Sequence, residues 1–279
     1  MQVAVPNEIL PGESRVALIP HTIASLTKAG LEVLVESGAG AGAFIADEAY
    51  AEAGAQILPD ADALYAAADI IFKVRPPEAS EVEKMKEGTT LICLMDAFFK
   101  LDLMEQLAAR NISGFGLEFV PRITRAQSMD VLSSMAAIAG YRSVLEAANL
   151  LPKYFPMLMT SAGTITPAKV FVIGAGVAGL MAIATAKRLG AVVEAYDTRP
   201  AVKEQVESVG AKFVEFDLET ADAEDKGGYA KAQSDEFYKK QQEQMKAKVE
   251  TVDVVITTAA IPGKQAPVLI TDDMLQAMR

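Results

Sequence analysis

Val170-Phe171-Val172-Ile173-Gly174-Ala175-Gly176-Val177-Ala178-Gly179 decides the fold of this chain. The unbroken apolar run Val170–Ile173 predicts a strand buried on both faces. Gly174, Gly176 and Gly179 then fall at the spacing G-x-G-x-x-G. Leu180, Ile183, Ala184 and Leu189 follow as the apolar positions of a helix, with Lys187 and Arg188 in its last turn and Gly190 at its end. Each glycine answers a physical demand. Gly174 permits a tight turn, Gly176 leaves no side chain between the backbone and a pyrophosphate, and Gly179 lets helix and strand pack closely. The N–H groups of the helix start, from Val177, Ala178 and Gly179, are then placed to receive phosphate charge. A bare G-x-G-x-x-G is weak evidence; strand, loop and helix together imply a dinucleotide site.

The next strand, Val192–Tyr196, ends at Asp197, 18 residues beyond Gly179. A carboxylate there accepts hydrogen bonds from the adenosine ribose hydroxyls and repels a 2′-phosphate, which favours NAD over NADP. Thr198 and Arg199 follow it, and an arginine at that place can serve a 2′-phosphate, the one feature that points the other way. A second glycine run, Gly38-Ala39-Gly40-Ala41-Gly42-Ala43, fits the looser G-x-G-x-x-A form. No acidic strand end follows it at the right distance, so it reads as a structural loop.

Working outward, strands are predicted at Lys169–Ile173, Val192–Tyr196, Lys212–Glu215 and Asp253–Thr257. A complete dinucleotide fold has about six strands, so residues 161–279 are expected to form a Rossmann domain that is truncated on its C-terminal side. Between the last two strands, Thr220–Lys248 is polar and charged and reads as a surface loop followed by an exposed helix. Upstream, residues 1–130 alternate short apolar runs (Val3–Val5, Leu31–Val35, Gln56–Leu58, Ile70–Val74, Thr90–Leu94, Ile112–Phe119) with helical patterns such as Thr22–Ala29. That alternation predicts an N-terminal α/β domain around a parallel sheet. Residues 131–160 hold one long helix, ended by Pro152 and Pro156, that reads as a link between domains. The fold class is therefore α/β, with two doubly wound parallel-sheet domains.

Composition narrows the partners. A net charge of −11 with no basic cluster argues against nucleic acid and anionic lipid. No run of apolar residues is long enough for a transmembrane helix, and Met1–Val5 begins without a basic n-region. Cys93, the single cysteine, lies in an apolar run and reads as a buried strand thiol. A single histidine, His21, excludes a histidine-rich metal site, and no metal is expected. A dehydrogenase acting on an alcohol or amine needs a proton acceptor beside the nicotinamide. His21 sits at a predicted helix start; Arg15 and Lys73 suit either a substrate cleft or ordinary strand-end charges.

Several stretches carry a resemblance to a known family. They are Val5-Pro6-Asn7-Glu8, Pro11-Gly12-Glu13-Ser14-Arg15-Val16-Ala17, Phe72-Lys73-Val74 and, most specifically, Pro121-Arg122 with Gln127-Ser128-Met129-Asp130-Val131-Leu132-Ser133-Ser134. Thr185–Ala191, Lys203–Ser208, Gly227-Gly228-Tyr229-Ala230-Lys231 and Thr257–Lys264 add to them. Over essentially its whole length the chain resembles the alanine dehydrogenase/transhydrogenase superfamily, and within it the NAD(H)-binding domain I (alpha subunit) of proton-translocating NAD(P) transhydrogenase.

The resemblance implies that Arg122, Asp130 and Ser133 hold the nicotinamide end of NAD(H). It implies that Gln127 reaches toward NADP(H) carried by a separate domain III, and that Tyr229 lies in a loop that closes over the nucleotide. Arg122, Gln127 and Asp130 are thus the implied catalytic residues. It further implies a Re/Si-specific enzyme active only with partner domains, a homodimer, a membrane domain II as partner, and a place at the cytoplasmic face of the inner membrane. Alanine dehydrogenases carry a catalytic histidine after the strand matching Leu91–Leu94, whereas this chain reads Met95-Asp96-Ala97-Phe98. That departure argues against amino-acid oxidation and is harmless to hydride transfer between two nicotinamides. The remaining alternative is an NAD-binding fragment without catalysis. The family's domain I also continues beyond Pro267–Thr271, in line with the expected truncation.

Overall fold

Gln2–Val5 (β1) opens the first sheet, with Val3 and Val5 facing one layer of helices and Ala4 the other. The structure is a computed structural model that describes residues 1–218, 234–260, 263 and 265–278. The chain divides into two units, Met1–Asp130 and Val131–Arg279. In the first unit β1 leads to α1 (Pro20–Lys28), whose first residue is a proline that has no N–H to leave unpaired. Gly30, at φ +85°, turns the chain into β2 (Glu32–Glu36). There follow α2 (Asp47–Glu52), β3 (Gln56–Leu58), α3 (Ala61–Ala67), β4 (Ile70–Phe72), α4 (Ala79–Lys84), β5 (Thr90–Cys93), α5 (Leu101–Ala109) and β6 (Ser113–Gly116).

All pairings in this sheet are parallel, in the order β3-β2-β1-β4-β5-β6. Ile23 of α1 and Tyr50 of α2 pack with Val3, Val5, Val33 and Val35 on one face. Leu64 of α3, Val82 of α4 and Leu107 of α5 pack with Ala4, Leu34, Ile71 and Leu91 on the other. Helices on both faces with this strand order make a doubly wound sheet, as the alternating pattern predicts.

The second unit begins with α6 (Val131–Leu150) and a small antiparallel hairpin, β7 (Leu158–Thr160) and β8 (Gly163–Ile165). Then come β9 (Lys169–Ile173), α7 (Val177–Arg188), β10 (Val192–Tyr196), α8 (Lys203–Ser208), β11 (Lys212–Phe213), α9 (Asp235–Val249), β12 (Val254–Thr257) and α10 (Asp272–Ala277). The parallel order is β11-β10-β9-β12, again wound on both faces. Val144, Ala182, Ile183, Ala186 and Val206 cover one side of the sheet; Met245, Val249 and Met274 cover the other.

Two sequence expectations need correction. The helix after residue 233 is not simply exposed: Gln241, Met245 and Val249 of α9 are buried against Phe171, Ile173 and Tyr196. Its many charges occupy the other face and mask a narrow apolar stripe at helical spacing. The strand expected over Ile112–Phe119 is confined to Ser113–Gly116, because the chain then tightens into a 3₁₀ turn at Leu117–Phe119. The hairpin β7–β8 has no counterpart in the sequence reading. The loop half of Thr220–Lys248 lies outside the described residues up to 233.

Candidate functional site

In the second unit the chain winds outward from β9 through β10 to β11 and returns to β12 beside β9. The carboxyl ends of β9 and β12 therefore frame the reversal of winding, where ligands of open α/β sheets bind. Gly174–Gly179 lies at that point. Gly174 has φ +95°, and its N–H donates to the Tyr196 carbonyl at 2.8 Å. A Cβ on Gly179 would stand 1.8 Å from the Gly174 carbonyl oxygen, so α7 could not approach β9 with any other residue there. A Cβ on Gly176 would meet nothing within 4 Å. Packing thus explains Gly179 and leaves Gly176 unexplained by the fold itself. No side chain caps the start of α7 and no acidic residue stands in its first turn. Val177 is exposed and Ala178 half-buried. Open space beside uncapped N–H groups at a helix start fits a pyrophosphate.

Asp197 ends β10 and is 9% exposed. Its Oδ2 accepts the Ala175 N–H at 2.7 Å, which ties the acid to the glycine loop. The Arg199 side chain forks onto the same carboxylate, with Nε 2.9 Å from Oδ1 and Nη2 2.8 Å from Oδ2, and the Arg199 backbone N–H donates to Oδ1 at 2.9 Å. A carboxylate has about four lone-pair sites. Four N–H donors therefore fill Asp197, and a ribose diol would have to take over part of the arginine fork.

Beside Asp197, a cavity is lined by Tyr196, Thr198, Lys203, Phe213, Glu215 and Phe216. The rings of Tyr196 and Phe216 are 4.5 Å apart at their centroids and form an apolar shelf suited to a flat heteroaromatic ring. The Tyr196 hydroxyl accepts from Gln241 Nε2 at 2.9 Å. Burial pushes its phenol up to about 12, so it stays neutral. Lys203 Nζ is 2.5 Å from Glu215 Oε1 across the mouth.

The other candidate residues are distributed over both units. In the first, the 3₁₀ segment Thr124–Met129 bends the chain so that Arg122 Nε lies 3.7 Å from Asp130 Oδ2, and Gln127 is exposed on it. Ser133 is half-buried in the first turn of α6, in the second unit. Tyr229 lies outside the described residues.

Arg15 and Lys73 both enter buried ion pairs. Lys73 follows β4, is 2% exposed, and places Nζ 2.8 Å from Glu81 Oε1 and 3.4 Å from Glu8 Oε2. The Tyr65 hydroxyl donates to the same Glu81 oxygen at 2.7 Å. Arg15 forks onto Glu13 at 2.7 and 2.5 Å, and Arg75 reaches Glu13 at 2.8 Å. The bonds from Arg15 hold the Glu13 carboxyl down at about 2. After β5, Met95 and Ala97 donate their N–H groups to Glu118. His21 is exposed at the start of α1. Cys93 is buried, and burial pushes its thiol up to about 12, which keeps it unreactive.

The sequence reading missed two residues that shape the loop. Thr258 Oγ1 donates to the Gly174 carbonyl at 3.0 Å and closes the reversal point from the β12 side. Gly140, in the middle of α6, faces α7: a Cβ there would stand 2.0 Å from the Ala178 carbonyl oxygen. A glycine inside a long helix was the available signal, since it weakens the helix unless something packs against it. Among the described residues no cluster of metal-binding side chains occurs, and no helix is long and apolar enough to cross a membrane.

Comparisons with known proteins agree with this geometry. Residues 4–139 match the family model for the alanine dehydrogenase/PNT N-terminal domain, and residues 143–279 match that for the C-terminal domain. The chain is 50% identical over 285 residues to the first of the proteins that make up NAD(P) transhydrogenase subunit alpha in Rhodospirillum rubrum, covering 100% of this chain and 74% of that protein. It is 30% identical over 282 residues to an alanine dehydrogenase of Methanococcus maripaludis, covering 100% of this chain and 69% of that protein. Among solved structures, a transhydrogenase from Sinorhizobium meliloti matches with a TM-score of 0.87 at 43% identity, covering 100% of this chain and 76% of that one.

Proposed function

This chain belongs to the alanine dehydrogenase/PNT family, and on that premise we propose that it is the NAD(H)-binding component of an NAD(P) transhydrogenase. The observation that carries the reading is the loop Gly174–Gly179 at the reversal of the second sheet, with Gly176 facing open space and Asp197 bonded to Ala175. Gly176 and the N–H groups of Val177 and Ala178 would hold the pyrophosphate, and Asp197 and Thr198 the adenosine ribose. Arg122, Asp130 and Ser133 are assigned to the nicotinamide end, Gln127 to the side facing the second nucleotide, and Tyr229 to closure over the bound one. The cofactor supplies the hydride chemistry, which links NADH on this chain with NADP⁺ on a partner domain.

Hydride transfer between two nicotinamides removes no substrate proton, so this chain needs no acid or base and acts by orienting its nucleotide. Two features support that over amino-acid oxidation. Arg15 and Lys73 are already committed to Glu13, Glu8 and Glu81. The segment Met95-Asp96-Ala97 carries no histidine. In this reading the chain works as a homodimer at the cytoplasmic face of a membrane, and a membrane domain couples transfer to proton translocation with Re/Si specificity.

The test mixes the purified chain with the NADP(H)-binding domain of a related transhydrogenase and follows hydride from NADH to an NADP analogue of shifted absorbance. Transfer that requires both proteins is expected, and NAD⁺ with L-alanine and no partner should give no NADH. Alanine-dependent NADH formation without a partner would overturn the proposal, as would NADH binding with no transfer on reconstitution.

A further inference from the structure

We infer that two ion pairs at the adenosine end, Arg199–Asp197 and Lys203–Glu215, set the choice between NAD(H) and NADP(H), with Arg199 and Lys203 as latent 2′-phosphate ligands that the carboxylates keep out of use. The inference rests on the nucleotide placement proposed above and goes beyond it in naming the side chains that decide selectivity. An arginine or lysine beside the ribose is what a dinucleotide fold uses to accept a 2′-phosphate. This site has both. Arg199 stands two residues beyond Asp197, and Lys203 opens α8 on the wall of the same cavity.

Neither cation is available in the resting arrangement. The Arg199 fork takes both oxygens of Asp197, and its side chain is only 12% exposed. Lys203 lies 2.5 Å from Glu215. Two positive charges are thus matched by two negative ones. A 2′-phosphate brings about −1.5 to −2 charge. To bind it the site would have to strip the fork from Asp197 and leave a nearly buried carboxylate beside a dianion. A ribose diol is neutral and needs only a share of the carboxylate's lone pairs. The pairs therefore penalise NADP(H) twice, by withholding cations and by keeping two carboxylates in place.

The substitutions that test this disturb little else. In Asp197→Asn the side-chain oxygen still accepts the Ala175 N–H, so the glycine loop keeps its tie. The Glu215 side chain is 66% exposed, so Glu215→Gln leaves the core untouched. NADH and NADPH are titrated in parallel, by equilibrium dialysis, against the wild-type chain, each single variant and D197N/E215Q. The wild type should bind NADH in preference to NADPH. D197N/E215Q should gain at least about tenfold in NADPH affinity while losing affinity for NADH, and E215Q alone should gain about threefold. Adding R199M and K203M to the double variant should abolish the gain.

A double variant that unfolds like the wild type and still binds NADH, with NADPH affinity unmoved, would overturn the inference. So would a gain that survives removal of Arg199 and Lys203. Wild-type chain that binds neither nucleotide would instead overturn the placement of the nucleotide, and this inference with it. If D197N fails to fold, E215Q alone decides, because its carboxylate is on the surface.

Discussion

Glu13 sits between two guanidinium groups, Arg15 at 2.5 Å and Arg75 at 2.8 Å, and the bonds from Arg15 lower its carboxyl from 4.5 to about 2. A depressed carboxyl stabilises the folded state above its unfolded value and loses that contribution as pH falls toward the folded one. The first unit should therefore lose stability between pH 4.5 and about 2, by about 1–2 kcal/mol after allowance for solvent screening. Urea unfolding of the wild type and of Glu13→Gln at pH 7 and pH 3 checks this. The gap between the two proteins should be open at pH 7 and narrowed at pH 3. At this scale the sequence was legible where chemistry is local. The glycine spacing and Asp197 are set by neighbours within one β-α-β unit. Lys73 was not legible, because its partners Glu8 and Glu81 come from before α1 and from α4, and only the folded sheet brings them to it. Arg199 was ambiguous for a related reason: adjacency to Asp197 does not say whether the fork faces the acid or a ligand.

Between elements, the closest approach in the second unit is α6 against α7, where Gly140 leaves room for the Ala178 carbonyl. Gly140→Ala would place a methyl 2.0 Å from that oxygen, and since both atoms belong to helix backbones, one helix must move. Loss of about 2–3 kcal/mol is expected, read from the denaturant midpoint. Alanine favours a helix interior over glycine by about 1 kcal/mol, so an unchanged or raised midpoint would refute the close packing. The long helix itself was legible from its apolar run and the prolines after it. Its partner was not, since an all-round small and apolar surface does not say which face packs. The buried stripe of α9 was hidden for the opposite reason, since charged residues outnumber the apolar ones along it. Strands buried on both faces, such as β9, showed as continuous apolar runs, whereas the β7–β8 hairpin is short and half-exposed and leaves no such pattern.

The molecule carries two doubly wound sheets that share the order third-second-first-fourth strand, yet only the second offers a dinucleotide cradle. Topology explains why. A phosphate loop works after the first strand of a unit, where winding reverses. In the second unit that place is Gly174–Gly179. In the first unit it follows β1, and the neighbouring end of β4 is filled by Lys73 with Glu8 and Glu81. The other glycine run, Gly38–Ala43, follows β2, away from the reversal. It folds into a 3₁₀ turn fastened by Ser37 and Gly38 to Asp47. Glycine content alone could not separate the two loops; strand order does.

The most direct test is therefore a titration of NADH against the wild-type chain and Gly176→Val, each with its unfolding curve. Gly176 has φ −77°, and a Cβ there meets no protein atom within 4 Å, so valine should leave stability within about 0.5 kcal/mol. NADH affinity should fall by at least about 50-fold, because the added branch stands where the pyrophosphate must approach the backbone. A Gly176→Val chain that keeps its fold and binds NADH as the wild type does would contradict the assignment of this loop as the nucleotide site.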